Sequence, residues 1–245
     1  MSKFTLQNVR TFSAGADLTT RSNRAEIGME AESKDATAFA PSGQVWHEEL
    51  SGIKTVTVNA AGQWEAGDAS MVDDSAFANL GSVSPLTLCP QTAADGALAY
   101  MTAFNRTSYS LGGSVGDVIP WSGKWVGTWG LGRGVVMGTP TPRTATGNSS
   151  VFQLPAVLAG QFLVGTLHVM SLSGTTPAVT LTIQSSAVVG MTSPTTRLTF
   201  NSQSAIGGQV FRIGGPITDT FYRATWTISG TTPSLLFMSA LGVSA

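Results

Sequence analysis

Polar and apolar positions alternate along much of the chain. The clearest run is Arg24 to Glu32, where Ala25, Ile27, Met29 and Ala31 point one way and Arg24, Glu26, Glu30 and Glu32 the other. A period of two predicts a strand with one buried and one wetted face. Shorter runs recur at Thr55 to Val58, Val179 to Gln184 and Phe221 to Ile228. The last sets Tyr222, Ala224, Trp226 and Ile228 against Arg223, Thr225 and Thr227. Short strands parted by Gly, Pro, Ser and Thr turns predict an all-β, mainly antiparallel sandwich or barrel.

One short helix interrupts the strands. Ser70 and Asp73 are spaced as a capping box, Val72, Ala76, Phe77 and Leu80 share a face, and Gly81 can end the element. Ala93 to Asn105 starts Ala-rich but carries Gly96, and its second half, from Tyr100 to Phe104, reads as strand. The segment 138–150 is turn-rich and nearly devoid of apolar residues, which marks a loop joining lobes at 1–137 and 151–245. The pentapeptide Ser-Gly-Thr-Thr-Pro occurs at Ser173 to Pro177 and again at Ser229 to Pro233. Both copies read as hairpin connections of one sandwich rather than as a duplicated domain.

Charge changes this picture most. Charged side chains make up 11% of the 245 residues, against about 25% in ordinary soluble domains. A surface so poorly charged lacks the usual protection against association, which points to a life among neighbours. Cut after Asp74, the chain has eleven acidic and six basic side chains before the cut, three and seven after it. Opposite signs suit head-to-tail contacts between copies, and solvated loops produce the same split. Beyond residue 137 only Arg143, Arg197, Arg212, Asp219 and Arg223 are charged, so this half reads as most in need of partners. The arginines are scattered singly, without the interleaved aromatics of a nucleic-acid platform.

A single cysteine, Cys89, excludes an intramolecular disulfide framework, and the first residues form no signal peptide, so folding in a reducing cytoplasm is expected. No apolar run approaches the roughly 20 residues of a membrane span, so membrane insertion is not expected.

Catalytic motifs fail on context. Gly112-Gly-Ser114-Val-Gly116 matches a nucleophile elbow, but Asp117 to Trp121 is no helix and the only downstream histidine is His168, in a predicted strand. Gly130 to Gly134 lacks the spacing of a phosphate-binding loop. Two histidines and one cysteine make no transition-metal set, and no cofactor is implied. The pairs Glu48–Glu49 and Asp73–Asp74 diverge on a strand or helix and form no glycosidase geometry. Six tryptophans raise one alternative, a receptor- or carbohydrate-binding β-sandwich, which in a virion would sit at the tail tip or decorate the capsid. Trp125 and Trp129 would there share a strand face, although strand aromatics also serve as core or interface anchors.

The order of features carries a resemblance. Asp17-Leu-Thr-Thr-Arg-Ser-Asn23, the alternating strand, Lys34-Asp35-Ala-Thr37-Ala-Phe39 and Leu50-Ser-Gly52 resemble the N-terminal region of major tail tube proteins of long non-contractile-tailed phages. Gly160 to Ser173 with Leu167-His168-Val169, then Ile183-Gln-Ser-Ser186, Arg197-Leu-Thr-Phe200 and Arg223 to Gly230 are similar to their C-terminal regions. The resemblance implies a non-enzymatic virion subunit, assembled in the host cytoplasm as stacked rings, usually hexameric, that form the channel for DNA ejection. It also implies a sandwich or barrel with one flanking helix, whose strands join a β-barrel between subunits, which removes exposed sheet edges. Its partners would be copies of itself, a tape-measure protein and transiently genomic DNA in the lumen, and tail tip and tail terminator proteins. Glu26, Glu30 and Glu32 are then candidates for an acidic or neutral lumen that repels phosphates, with Arg24 on the same face. Asp17, Arg21, Arg24, Asp35 and Arg143 are candidates for contacts between subunits. Met1 to Asn23, Ser33 to Gln44 and Gly138 to Ser150 are candidates to reach an adjacent ring.

Overall fold

The computed structural model describes residues 8–37 and 47–244. Strands β1 (Arg10–Ser13), β2 (Ala16–Asp17), β3 (Ser22–Asp35) and β4 (Glu49–Gln63) precede helix α1 (Val72–Asn79). There follow β5 (Val83–Cys89), β6 (Leu98–Leu111), β7 (Pro120–Gly127), β8 (Gly132–Arg143), β9 (Gly147–Asn148) and β10 (Phe152–Gln153). The chain ends in β11 (Phe162–Ser186), β12 (Thr195–Thr199), β13 (Gly207–Gly214) and β14 (Phe221–Ser244). The expected all-β, mainly antiparallel fold is what is observed: every ladder between these strands is antiparallel. No helix among the described residues is long and apolar enough to cross a membrane.

β11 and β14 pair along nearly their whole lengths, from Phe162↔Ser244 to Ser186↔Phe221. The two Ser-Gly-Thr-Thr-Pro copies lie opposite one another in this ribbon, at its register shifts, with Thr175↔Thr231 between them. They are therefore bulges within strands, not the hairpin connections their turn residues announce. Gly174 and Gly230 have φ of 109° and 114°. A Cβ at Gly174 would lie 2.6 Å from the Thr232 carbonyl oxygen, and one at Gly230 would lie 2.8 Å from that of Thr175. Each glycine is the space the other strand occupies. The ribbon folds back at these bulges, so that Trp226 of its first half meets Phe237 of its second edge to face, 5.7 Å between ring centres. Val179, Leu181 and Ile183 share a core with Leu163, Leu167, Phe237 and Leu241.

The sheet continues from β14 through β8, β6 and β5 to β1 and β2. Residues 138–143, expected to be loop, belong to β8, which follows β14 to Leu235↔Arg143. Pro140 and Pro142 fit because β6 pairs β8 only as far as Val135, so prolines can turn toward a bare side. The two halves are also joined by a buried polar knot. Gly15 N–H donates to His168 Nδ1 (3.4 Å), His168 Nε2 lies 2.9 Å from Thr87 Oγ1, and Thr87 Oγ1 lies 2.8 Å from Thr166 Oγ1. Burial holds the His168 pKa down at about 3, so the ring is neutral, with Nε2–H donating to Thr87.

Candidate assembly surface

Beyond Arg106, β6 leaves this body. Its last residues pair with β7, β7 pairs with β4 and β4 with β3, giving a second sheet in the order β6, β7, β4, β3. Alternation gives the sheet two different faces. On one, Val56, Val58, Ala60, Trp121, Trp125 and Phe104 are buried with Val72 of α1. On the other lie Thr55, Thr57, Asn59 and Ala61 of β4, Ser122 and Lys124 of β7, and Ser108 and Ser110 of β6.

Glu26, Glu30 and Glu32 stand on this second face with Arg24, as their parity demands, because β3 is regular from Arg24 onward: the shift between Ser22 and Arg24 puts its extra residue in β3 before this run, and the shift between Ala31 and Ser33 puts its extra residue in β4. Arg24 is 2.9 Å from Glu26, and Lys34 pairs with Glu32. With Lys124 from β7, three cations offset three carboxylates. The face is small, polar and balanced rather than acidic.

The sheet has two bare edges among the described residues. β3 pairs only with β4, and β6 past Arg106 pairs only with β7. Toward its tip the β3–β4 hairpin also loses its core: Met29 is 66% and Ile53 74% exposed. A two-stranded ribbon without a packed face is marginal in water by itself.

The remaining sequence candidates are engaged within the subunit. Arg21 pairs with Glu65 and donates to the Asp17 carbonyl (3.0 Å). Asp17 accepts from the Thr19 N–H (2.9 Å), with Arg10 at 3.9 Å. Asp35 accepts from the Thr37 N–H (2.8 Å), and hydrogen bonding to Thr37 lowers its pKa. Arg143 stacks on Phe237 and Trp226, at 4.2 and 4.7 Å from the ring centres, and donates to the Phe237 and Thr139 carbonyls (2.8 Å each). Of the three segments expected to reach out, Arg10–Asp17 pairs into the main sheet and 138–143 is β8. Residues 1–7 and 38–46, Trp46 included, lie outside the described residues.

Sequence reasoning missed how α1 is used. Asp73 caps nothing: its carboxylate accepts from Tyr109 O–H (2.7 Å) and Trp64 Nε1–H (3.0 Å), and these bonds lower its pKa. The helix packs Val72 and Ala76 inward and leaves Phe77 85% exposed. It also missed Arg106, buried over the faces of Trp125 (4.6 Å) and Tyr109 (5.2 Å), with its pKa brought down to about 10 by burial. Trp125 is fully buried and Trp129 lies beyond the end of β7, stacked on Arg212 at 4.4 Å. The two indoles therefore share no open face for a sugar. Ser114 sits in an exposed turn, and His168 is committed to Gly15 and Thr87.

No protein-family model matches the chain, and no curated protein matches it. Among solved structures it is similar to a chain in the tail of an empty gene transfer agent particle of C6 symmetry, at 21% identity and a TM-score of 0.37, over 45% of this chain and 80% of that one. A chain of the native gene transfer agent virion is similar at 21% identity and a TM-score of 0.38, over 51% and 93%. The Dit protein (gp 19.1) of SPP1, described as a hub of the adsorption apparatus in phages infecting Gram-positive hosts, is similar at 10% identity and a TM-score of 0.33, over 96% and 99%.

Proposed function

We propose that the chain is the structural subunit of a phage tail tube, a non-enzymatic protein that assembles into stacked rings around a channel for DNA. The observation that carries this reading is the second sheet: four strands with a core on one face, a balanced polar surface on the other and a bare strand at each side. Because successive strands run in opposite directions, β6 of one copy and β3 of the next are antiparallel when set side by side. A ring of copies therefore closes without a break in alternation, and every bare edge finds a partner. The face turned to the channel would be the one bearing Glu26, Glu30 and Glu32 with their compensating cations. Small hydroxyl and amide side chains without net positive charge let a polyanion slide rather than bind.

Negative-stain microscopy of the purified protein tests the reading; stacked rings or filaments are expected, and a monodisperse compact monomer or trimer would overturn it. Pairing of the edges is tested by placing Ser110→Cys in β6 together with a cysteine stepped along residues 22 to 28 of β3. One register should give a ladder of disulfide-linked oligomers on oxidation. For the channel face, Glu30→Lys with Glu32→Lys should permit assembly but slow or block DNA ejection, and normal ejection would remove those glutamates from the lumen.

A further inference from the structure

We infer that helix α1 of one subunit docks, through Phe77, into the cleft beneath the β3–β4 hairpin of the adjacent subunit in the ring. This rests on the edge-to-edge closure proposed above and adds to it a second, side-chain contact that no backbone pairing requires.

Phe77 is 85% exposed, with Leu80 at 53% and Val83 at 57% beside it. The subunit's own core takes another side of the helix, through Val72 and Ala76. A phenyl ring held out on a helix is costly in water, and among the described residues it has no partner in its own chain. The same molecule offers a seat. Under the hairpin lies a cleft of about 620 Å³ lined by Met29, Ala31, Trp129 and Leu131, with Lys54 and Arg212 at its walls.

Three features make a second copy the occupant. First, both surfaces lie on the core side of the same sheet, each beside one of its bare edges: α1 near β6, the cleft under β3. Joining the edges brings them together. Second, their heights agree. Leu80 bridges to Arg106, and Arg106 lies level with Ile27 through Trp125 and Val58, two residues from Met29. Third, the charges are complementary. From Glu65 to Leu80 the chain carries no base; Glu65 pairs with Arg21 and Asp73 is held by Trp64 and Tyr109, which leaves Asp68 and Asp74. The cleft presents Lys54 and Arg212, while Glu30 turns to the other face of the sheet.

The test compares wild type with Phe77→Asp and with the pair Phe77→Cys, Met29→Cys. Phe77→Asp should leave thermal unfolding of the unassembled subunit unchanged and raise the concentration needed for assembly about tenfold or more, as expected for losing one buried phenyl. The cysteine pair should form disulfides between copies on oxidation, and neither single variant should form the ladder. Rings that assemble from Phe77→Asp at the wild-type concentration, or a cysteine pair that assembles without cross-linking, would overturn the docking while leaving the tube intact. Absence of rings from the wild type would overturn both. If Phe77→Asp lowers the subunit's own stability, the cross-link decides alone.

Discussion

The C-terminal half and the β3–β4 hairpin answer opposite demands within one chain. The C-terminal half carries five charges beyond residue 137, yet it closes on itself: its ribbon folds back, Arg143 and Arg197 find acceptors inside it, and its strands share one large core. The hairpin is rich in charge, and it is the unfinished part. Among the described residues fourteen large apolar side chains are exposed: Met29, Leu50 and Ile53 on the hairpin, eight between Phe77 and Ile119, and Leu158, Val188 and Val189 in the C-terminal half. Scarcity of charge therefore does not mark the surface that needs a partner. Outward-facing Ser and Thr wet a sheet well enough, whereas bare backbone edges and apolar residues without a core do not.

A series of substitutions and one change of condition probe that contrast, beginning with the largest effect. Phe237→Ala, at the meeting of Trp226, Arg143 and the core, should cost about 3–5 kcal/mol in urea unfolding. A small loss would mean that the folded-back ribbon is not what closes this half. Gly174→Ala and Gly230→Ala should each cost about 2–3 kcal/mol through positive φ and overlap with the opposing carbonyls, and the two costs should match. Next comes acid. The His168 pKa is depressed to about 3 in the folded protein and returns to its ordinary value on unfolding. The unfolded chain therefore binds more protons between these values, and stability falls as pH drops below about 6.5, by about 1.4 kcal/mol per unit. Urea midpoints at pH 7, 6 and 5 measure this, and His168→Gln should flatten the slope. The smallest effect belongs to the hairpin. Met29→Ser should change subunit stability by less than about 0.5 kcal/mol and be felt only in assembly, as solution scattering of the two states can show.

Alternation gave the strands and the parity at Arg24 to Glu32 and Phe221 to Ile228, but the buried face expected for Ala25, Ile27, Met29 and Ala31 is not observed: no residue of β3 is fully buried and Met29 is 66% exposed, because the hairpin runs past the core of its own subunit. The centre of β11 was not, because Ser-Gly-Thr-Thr-Pro is turn chemistry, and only the identical segment of β14 opposite turns it into a bulge. The cap at Ser70 failed because Asp73 has two tertiary donors, Trp64 and Tyr109, that local spacing cannot reveal. For the candidate site, the common face of Glu26, Glu30 and Glu32 followed from parity. Its neutrality did not, since Lys124 arrives from a strand whose place in the sheet is fixed by long-range pairing. The bare edges were invisible for the same reason: an edge is a property of strand order, not of residue type.

The fold-back of β11 and β14 has a mechanical meaning. Each strand runs unbroken through both layers of the C-terminal half, so the layers share covalent backbone as well as side-chain contacts. A pull that would peel one layer from the other must straighten the ribbon at Thr175 and Thr231, where the two strands pair between register shifts. If the subunit is part of a tube, as proposed, it strains before it separates when the tube bends.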